Sequence, residues 1–333
     1  MTAAAVIGCG TISIVHFGAI TGLDGIDLVG VCDTDAGRAA AAGREYGVPW
    51  FTDHAELLGT AHPQVVHICT PHNEHVPVAI DSIDAGVAVL LEKPVGHTVA
   101  DAERLVAAAR RRPEVPVGIC LQNRYNTAVR AARALLAAGE VGRVLGASAT
   151  LLWHRDAAYY EARPWRGRVC ESGGGVLINQ AIHTLDLLQW LLGDVVDVRG
   201  HTGRYGLDGV LDGRLDVEDT ASVLLDHAGG ARSVLFATVT NVTDTPVTIE
   251  IVTERAVLVI RGDLTVTYLD DGRTETVAEW RADTGGRAYW GASHELLIAD
   301  FYRSLDGLAP FWIDPEEGTR SLRLIDRIYR LNS

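Results

Sequence analysis

The chain has 333 residues, 47% hydrophobic and 22% charged, with a formal net charge of -14. That length allows two domains with sizeable cores, and the balance is that of an ordinary soluble globular protein. The acidic charge speaks against non-specific binding to nucleic acid or to an anionic membrane surface.

The N-terminal MTAAAVIGCG has no basic segment before its apolar run, and that run is too short for a secretory signal. No uninterrupted apolar segment approaches the length of a membrane span. Cys9, Cys32, Cys69, Cys120 and Cys170 form no CxxC pair and no disulfide-like spacing. A cytoplasmic, reducing location without a membrane partner is therefore expected.

Through the first 122 residues, short apolar runs alternate with helical patterns. AAAVIGC, DLVGVCD, VVHICT, VAVLLE and VPVGIC are separated by segments such as DAGRAAAAGREYG and TVADAERLVAAARRR. Five strands alternating with helices predict a doubly wound parallel sheet. The first strand ends in Gly8-Cys9-Gly10-Thr11-Ile12-Ser13, which is GxGxxG with serine at the third place. The first glycine permits a tight turn, and the second lets the backbone approach a pyrophosphate at a helix N-terminus. Asp33 closes the second strand at the distance where a carboxylate accepts hydrogen bonds from an adenosine ribose. Arg38, a turn further on, could instead attract a 2′-phosphate. Gly8, Gly10, Thr11, Ile12, Asp33, Thr34 and Arg38 are thus candidate cofactor contacts, with NAD preferred over NADP.

Ligands in open α/β sheets bind beyond the carboxyl ends of strands. Thr70 and Pro71 after VVHIC, with His75, are expected to line a cofactor cleft. Glu92 and Lys93 after VAVLL are expected at its mouth, where lysine can hydrogen-bond a substrate hydroxyl or carbonyl. His67, His72 and His75 invite a metal reading. They span a strand end, a turn and a helix start, and no cysteine or acidic set completes a site, so no metal is expected.

After Asn123-Arg124-Tyr125-Asn126 the pattern changes, so a second domain is expected over 123–333, its last helix able to pack back on 1–122. A helix, AVRAARALLAAGEVG, leads into the strand VLGASATLLWHR. Beyond about residue 195 strands are expected near TASVLLD, SVLFATVT, VTIEIVT, AVLVIRG and LTVTYL, with hairpin-like links such as HAGGA. Helices return at HELLIADFYRSLDG and EEGTRSLRLIDRIYRL, and the glycine-rich segment 200–216 reads as a surface loop. This half is α+β, with an open, mostly antiparallel sheet. Between its first strand and that sheet lies GGGVLINQAIHTLDLLQWLLG, a glycine turn and an apolar helix. Asn179, His183 and Asp186 fall within roughly 60° on its wheel. A polar stripe on such a helix is either a satisfied core network or the wall of a site. His183 is the acid/base candidate, because imidazole titrates near neutrality.

GCGTIS, CTPHNEH, AGVAVLLEKP, GGGVLINQAIHTLD, VEDTASVLL and SHELLIADFYRSL together resemble the glucose–fructose oxidoreductase / inositol dehydrogenase / rhizopine catabolism (Gfo/Idh/MocA) family over essentially the whole chain. The resemblance implies an N-terminal Rossmann domain and a C-terminal domain whose open sheet builds homodimers or homotetramers. It places the family's EKP lysine on Lys93 and its acid/base histidine on His183. Relatives often have aspartate four residues before that histidine; here it is Asn179, which can orient an imidazole but cannot stabilise imidazolium as a carboxylate would. Asp186 either supplies the missing charge or satisfies a neighbouring arginine.

Arg124 and His154 resemble substrate-side residues of the inositol dehydrogenase branch. Trp165, Arg166 and Tyr289 resemble groups that close over the nicotinamide, and Asn123 is placed with the cofactor. The implied activity is hydride transfer between NAD(P) and a secondary alcohol or ketone of a sugar, cyclitol or glycoside. Catalytic roles fall to Lys93, His183 and Asn179, and substrate contacts to these three with Arg124, His154 and Asp186. Two alternatives share the fold: glycoside cleavage through transient oxidation without net cofactor turnover, and a non-catalytic dinucleotide sensor.

Overall fold

A computed structural model describes residues 1–207, 213, 215–280, 293–307 and 309–331. The chain forms two compact units, Met1–Gln122 with His294–Thr319, and Asn123–Ser293 with Arg320–Ser333.

The first unit is built on the strands β1 (Thr2–Ile7), β2 (Ile26–Cys32), β3 (Trp50–Phe51), β4 (Val65–Ile68), β5 (Ala88–Glu92) and β6 (Val117–Cys120). They form one parallel sheet in the order β3-β2-β1-β4-β5-β6. Every residue of β4 and β5 is buried, as expected where helices cover both faces of a parallel sheet. The helices α1 (Ser13–Gly22), α2 (Ala36–Tyr46), α3 (His54–Ala61), α4 (His72–Asp84) and α5 (Val99–Arg111) make the crossovers. Side chains start three of them: Asp35 accepts the Arg38 N–H, Asp53 those of Ala55 and Glu56, and Thr98 that of Asp101. The strand order reverses between β1 and β4, so the turns after these two strands lie side by side at the switch point.

The doubly wound sheet is as expected, with one strand more than the five anticipated. Trp50–Phe51 is too short an edge strand to show any periodicity. The segment 294–319, expected with the second half of the chain, joins this unit instead. A Cβ on Gly118 of β6 would lie 2.7 Å from both the Phe301 and Phe311 rings, so β6 is cut to receive them. The Ile119 N–H also donates to the Ile313 carbonyl at 2.9 Å.

The second unit holds α6 (Thr127–Ala138), β7 (Val144–Leu152), two short helices α7 (Ala157–Glu161) and α8 (Val169–Ser172), and α9 (Ile182–Leu192). The strands β8 (Val195–Gly203), β9 (Thr220–His227), β10 (Arg232–Thr238), β11 (Thr248–Thr253), β12 (Ala256–Arg261), β13 (Asp263–Tyr268) and β14 (Thr274–Val277) follow. With β7 they form an eight-stranded sheet, β14-β13-β12-β11-β7-β10-β9-β8, in which the β7–β10 pair is parallel and the others antiparallel. Alternating burial along β9 to β12 gives the sheet one covered and one open face. Residues 200–203, expected in a loop, end the edge strand β8. Glycine and polar side chains there hide an extended backbone from any hydrophobic count. The helix Pro315–Arg330 contributes residues to both units. No helix among the described residues is long and apolar enough to cross a membrane.

Candidate active site

In the first unit, β1 delivers the glycine turn. Gly8 has φ +95°, and a Cβ there would sit 2.6 Å from the Cys69 carbonyl, so glycine alone fits. At Gly10 a Cβ would meet nothing within 4 Å. That side of the turn is open, beside the first N–H groups of α1. Ser13, at the third motif position, is buried and its hydroxyl donates to the Gly10 carbonyl at 2.7 Å. Thr11 is exposed and Ile12 half-buried at the helix start.

At the end of β2 the buried Asp33 accepts the Cys9 N–H at 2.9 Å and the Asp35 N–H at 2.9 Å. Arg38 grips the same carboxylate with two contacts of 2.8 and 3.2 Å, and reaches Asp35 at 3.0 Å. Thr34 is exposed beside them. An open backbone turn at a helix N-terminus, with a carboxylate at the next strand end, fits a dinucleotide's pyrophosphate and ribose. Arg38, weighed as a phosphate ligand, is committed to Asp33 and Asp35.

Two other residues assigned from the sequence in this unit, Glu92 and His75, are buried. The Glu92 Oε1 lies 3.0 Å from His16 Nε2 and 3.2 Å from His294 Nε2. The Lys93 N–H donates to its Oε2 at 3.2 Å. His16 Nδ1 faces His67 Nδ1 at 2.8 Å, and His67 Nε2 faces the Tyr302 hydroxyl at 2.8 Å. Burial alone would raise the Glu92 pKa, but the two histidine hydrogen bonds outweigh it and hold the carboxyl well below its usual range. Burial pushes His16 and His67 down. His75 is also buried, its Nδ1 2.7 Å from the Pro94 carbonyl and its Nε2 3.0 Å from that of Thr70. It ties the loop after β4, with half-buried Thr70 and Pro71, to the loop carrying Lys93. Lys93 is half-buried and precedes a cis proline.

In the second unit, a π-helical turn, Leu177–Ala181, leads into α9. Such wide turns recur at functional sites. From Gly174 to Gln189 every residue is buried except Asn179 and His183. The polar stripe therefore has an open part and a closed part. Asp186 belongs to the closed part, where it meets Arg124 in two 2.7 Å contacts and accepts the Ser321 hydroxyl at 3.0 Å. Arg124 and Asp186 are 2% and 1% exposed and form a buried ion pair, the arginine partner being one of the two roles weighed for Asp186. The glycines are explained by packing as well. A Cβ on Gly174 would lie 2.1 Å from the Tyr329 hydroxyl, and one on Gly175 would lie 1.8 Å from the Glu218 carbonyl oxygen. The Glu218 carboxyl accepts the Gly175 and Leu177 N–H groups at 2.7 and 3.0 Å and the Tyr329 hydroxyl at 2.8 Å, closing the helix start.

Around this wall, Tyr159 of α7 reaches the Asn179 and Gln180 amides, and the Arg166 guanidinium stacks 4.3 Å from its ring centre. Trp165 is half-buried, with Arg166 over its ring at 5.8 Å. His154 is exposed, its Nδ1 donating to the Asn241 carbonyl at 2.7 Å and its N–H to Asp244 at 2.7 Å. Asn123 is half-buried in a short 3₁₀ turn, 122–125. Tyr289 lies outside the described residues. Sequence reasoning passed over Tyr159, Glu218, His16 and His294. Glu218 stood within VEDTASVLL, and a buried helix start without a capping side chain was the signal that could have found it.

Residues 2–119 match the oxidoreductase family with an NAD-binding Rossmann fold, and residues 129–259 match the GFO/IDH/MocA C-terminal domain. The chain belongs to the Gfo/Idh/MocA family. Within it, the chain is 32% identical over 239 residues to D-apiose dehydrogenase of Paraburkholderia graminis, covering 69% of this chain and 59% of that protein. It is 31% identical over 231 residues to inositol 2-dehydrogenase 2 of Saccharopolyspora erythraea, covering 68% and 63%. The matches thus span about six-tenths of these curated relatives' length. The WlbA dehydrogenase of Bordetella pertussis, solved with NADH and UDP-GlcNAcA, is 28% identical. It superimposes with a TM-score of 0.84 over 99% of this Gfo/Idh/MocA chain and 96% of its own.

Proposed function

We propose that the protein is an NAD-dependent dehydrogenase or reductase acting on a secondary alcohol or ketone of a sugar or cyclitol. The observation that carries this reading is that Asn179 and His183 alone are only half-buried in an otherwise buried segment, 174–189. An apolar helix that leaves one imidazole and one amide incompletely buried offers a proton-transfer group at that point. The glycine turn at Gly8 and Gly10 and the carboxylate of Asp33 hold the dinucleotide, and the relatives' names supply the substrate class. The preference for NAD rests on Asp33, which favours ribose hydroxyls, and on Arg38, whose charge is already balanced by Asp33 and Asp35.

When bound, the cofactor supplies the hydride acceptor. The chain manages the proton. His183 accepts it from the substrate hydroxyl, while the Lys93 ammonium stabilises the oxygen as negative charge develops on it. Asn179, a near turn before His183, holds the imidazole or a neighbouring group through its amide. In the reverse direction His183 returns the proton to the oxygen of a ketone. The open face of the second unit's sheet, with Val234 and Phe236 exposed, is the surface through which copies of the chain associate.

The test is NADH formation with a panel of sugars and cyclitols. Replacing His183 by alanine lowers kcat by at least about 100-fold with NAD affinity retained. Unchanged turnover would sink the acid/base assignment, and bond cleavage without net NADH would replace the dehydrogenase reading with glycoside cleavage.

A further inference from the structure

The Tyr159 hydroxyl receives two amide groups from the polar wall, Gln180 Nε2 at 3.1 Å and Asn179 Nδ2 at 3.5 Å. A phenol oxygen has two acceptor positions and one proton. With amide N–H groups on both acceptor positions, a further hydrogen bond from Tyr159 runs outward through its own proton. The side chain is half-buried, and it is held. Arg166 lies 4.3 Å and Arg155 5.3 Å from the ring centre, and Arg166 Nη1 donates to the Tyr159 carbonyl at 3.4 Å. Arg155 is anchored by two contacts to Asp244, 2.9 and 3.1 Å. Cations over an aromatic face are attracted to its electron density and help hold the ring in place.

We propose that Tyr159 is a further catalytic residue, donating its O–H to an oxygen of the substrate at the wall formed by Asn179 and His183. The inference rests on the reading of that wall as a site for a sugar or cyclitol alcohol. The acceptor is the carbonyl oxygen in reduction and the reacting or adjacent hydroxyl oxygen in oxidation. Asn179 acquires a role from this. A carboxylate at 179 would accept the phenol proton and turn the O–H inward; an amide donates, and leaves the O–H to point out. The pair Asn179–Tyr159 thus sets which way one proton faces.

The experiment compares wild type, Tyr159→Phe and Asn179→Asp in NADH formation over the same panel. Calorimetric binding of the best substrate to the NADH-loaded protein is measured alongside. Phenylalanine keeps the ring and its guanidinium stack. It lowers kcat about 10- to 100-fold and weakens substrate binding, while NADH affinity and Tm stay at the wild-type values. Asn179→Asp shows a similar loss, and the double variant loses little more than either single one. A Tyr159→Phe enzyme with wild-type kcat and KM overturns the assignment and leaves the dehydrogenase reading intact. If Tyr159→Phe proves unstable, Asn179→Asp decides, and a kcat at or above wild type overturns it. No NADH from wild type with any panel member overturns both.

Discussion

The Nδ1 atoms of His16 and His67 lie 2.8 Å apart, so one proton is shared between two imidazoles. The direction of sharing follows from the ends. Glu92 is ionised and can only accept, so His16 donates through Nε2 and accepts through Nδ1. His67 then donates through Nδ1 and accepts the Tyr302 hydroxyl through Nε2. The hydrogen bonds run one way, from Tyr302 to Glu92, with both rings neutral.

This arrangement sets a pH dependence of stability. Burial lowers the folded-state pKa of His16 and His67 below the unfolded value near 6.5. Between the two values the unfolded chain binds more protons, so stability falls as pH drops below about 6.5. Glu92, also depressed, adds a further loss once pH falls below its unfolded value of about 4.3. Calorimetry at pH 7.5, 6 and 5 should give a falling Tm; a flat profile would show that folding does not lower the pKa of these imidazoles.

Gly175→Ala is expected to be among the most damaging small substitutions. Its Cβ would meet the Glu218 carbonyl oxygen at 1.8 Å, so backbone must move and the N–H bonds that Glu218 accepts are lost. A loss above about 3 kcal/mol in urea unfolding is predicted, from overpacking plus unsatisfied donors. A change below about 1 kcal/mol would contradict the tight approach.

Asp186→Asn leaves Arg124 buried without its carboxylate. The expected cost is about 3–5 kcal/mol of stability, with KM for substrate unchanged in the folded fraction. A raised KM at wild-type stability would return Asp186 to the substrate site.

Asp33→Ser removes the acceptor for the Cys9 N–H and the principal partner of Arg38. The NADP-to-NAD ratio of kcat/KM should rise at least about 10-fold as the guanidinium becomes available to a 2′-phosphate. The ratio is read from initial rates with both cofactors. An unchanged ratio would place cofactor choice elsewhere.

Phe236→Lys puts a charge on the open sheet face, where Phe236 is 43% exposed. Light scattering should show a shift toward monomer without loss of Tm for the isolated chain. Retention of the assembled mass would move the interface off this face.

How much of this could be read from residues alone follows from how local each feature is. The strands β4 and β5 are legible because a doubly covered strand is a continuous apolar run. Asn179 and His183 stood out because polar groups interrupt an apolar helix. For Asp186 an arginine partner was one of two readings, but which arginine was not legible, because 62 residues separate the two halves of the pair with Arg124. Glu92 looked like a cofactor contact because its partners lie 76 residues before and 202 residues after it. The strand over 200–203 and the wide turn at 177–181 carry no periodic mark: one is polar and glycine-rich, the other differs from an α-helix only in winding.

The wide turn also makes the wall sensitive to chain length. A π-helical turn amounts to one residue inserted into an α-helix, and each α-helical residue is worth about 100° of rotation. Deleting a single residue between Leu177 and Ala181 would allow the segment to rewind as a regular helix. The side chains preceding the deletion would then swing by about a quarter turn relative to His183. Deleting Asn179 or Gln180 would remove one of the two amide donors to Tyr159 outright and turn the residues before it out of their present register. One three-nucleotide deletion could thus blind the wall while leaving the helix, its length and its apolar core nearly as they were.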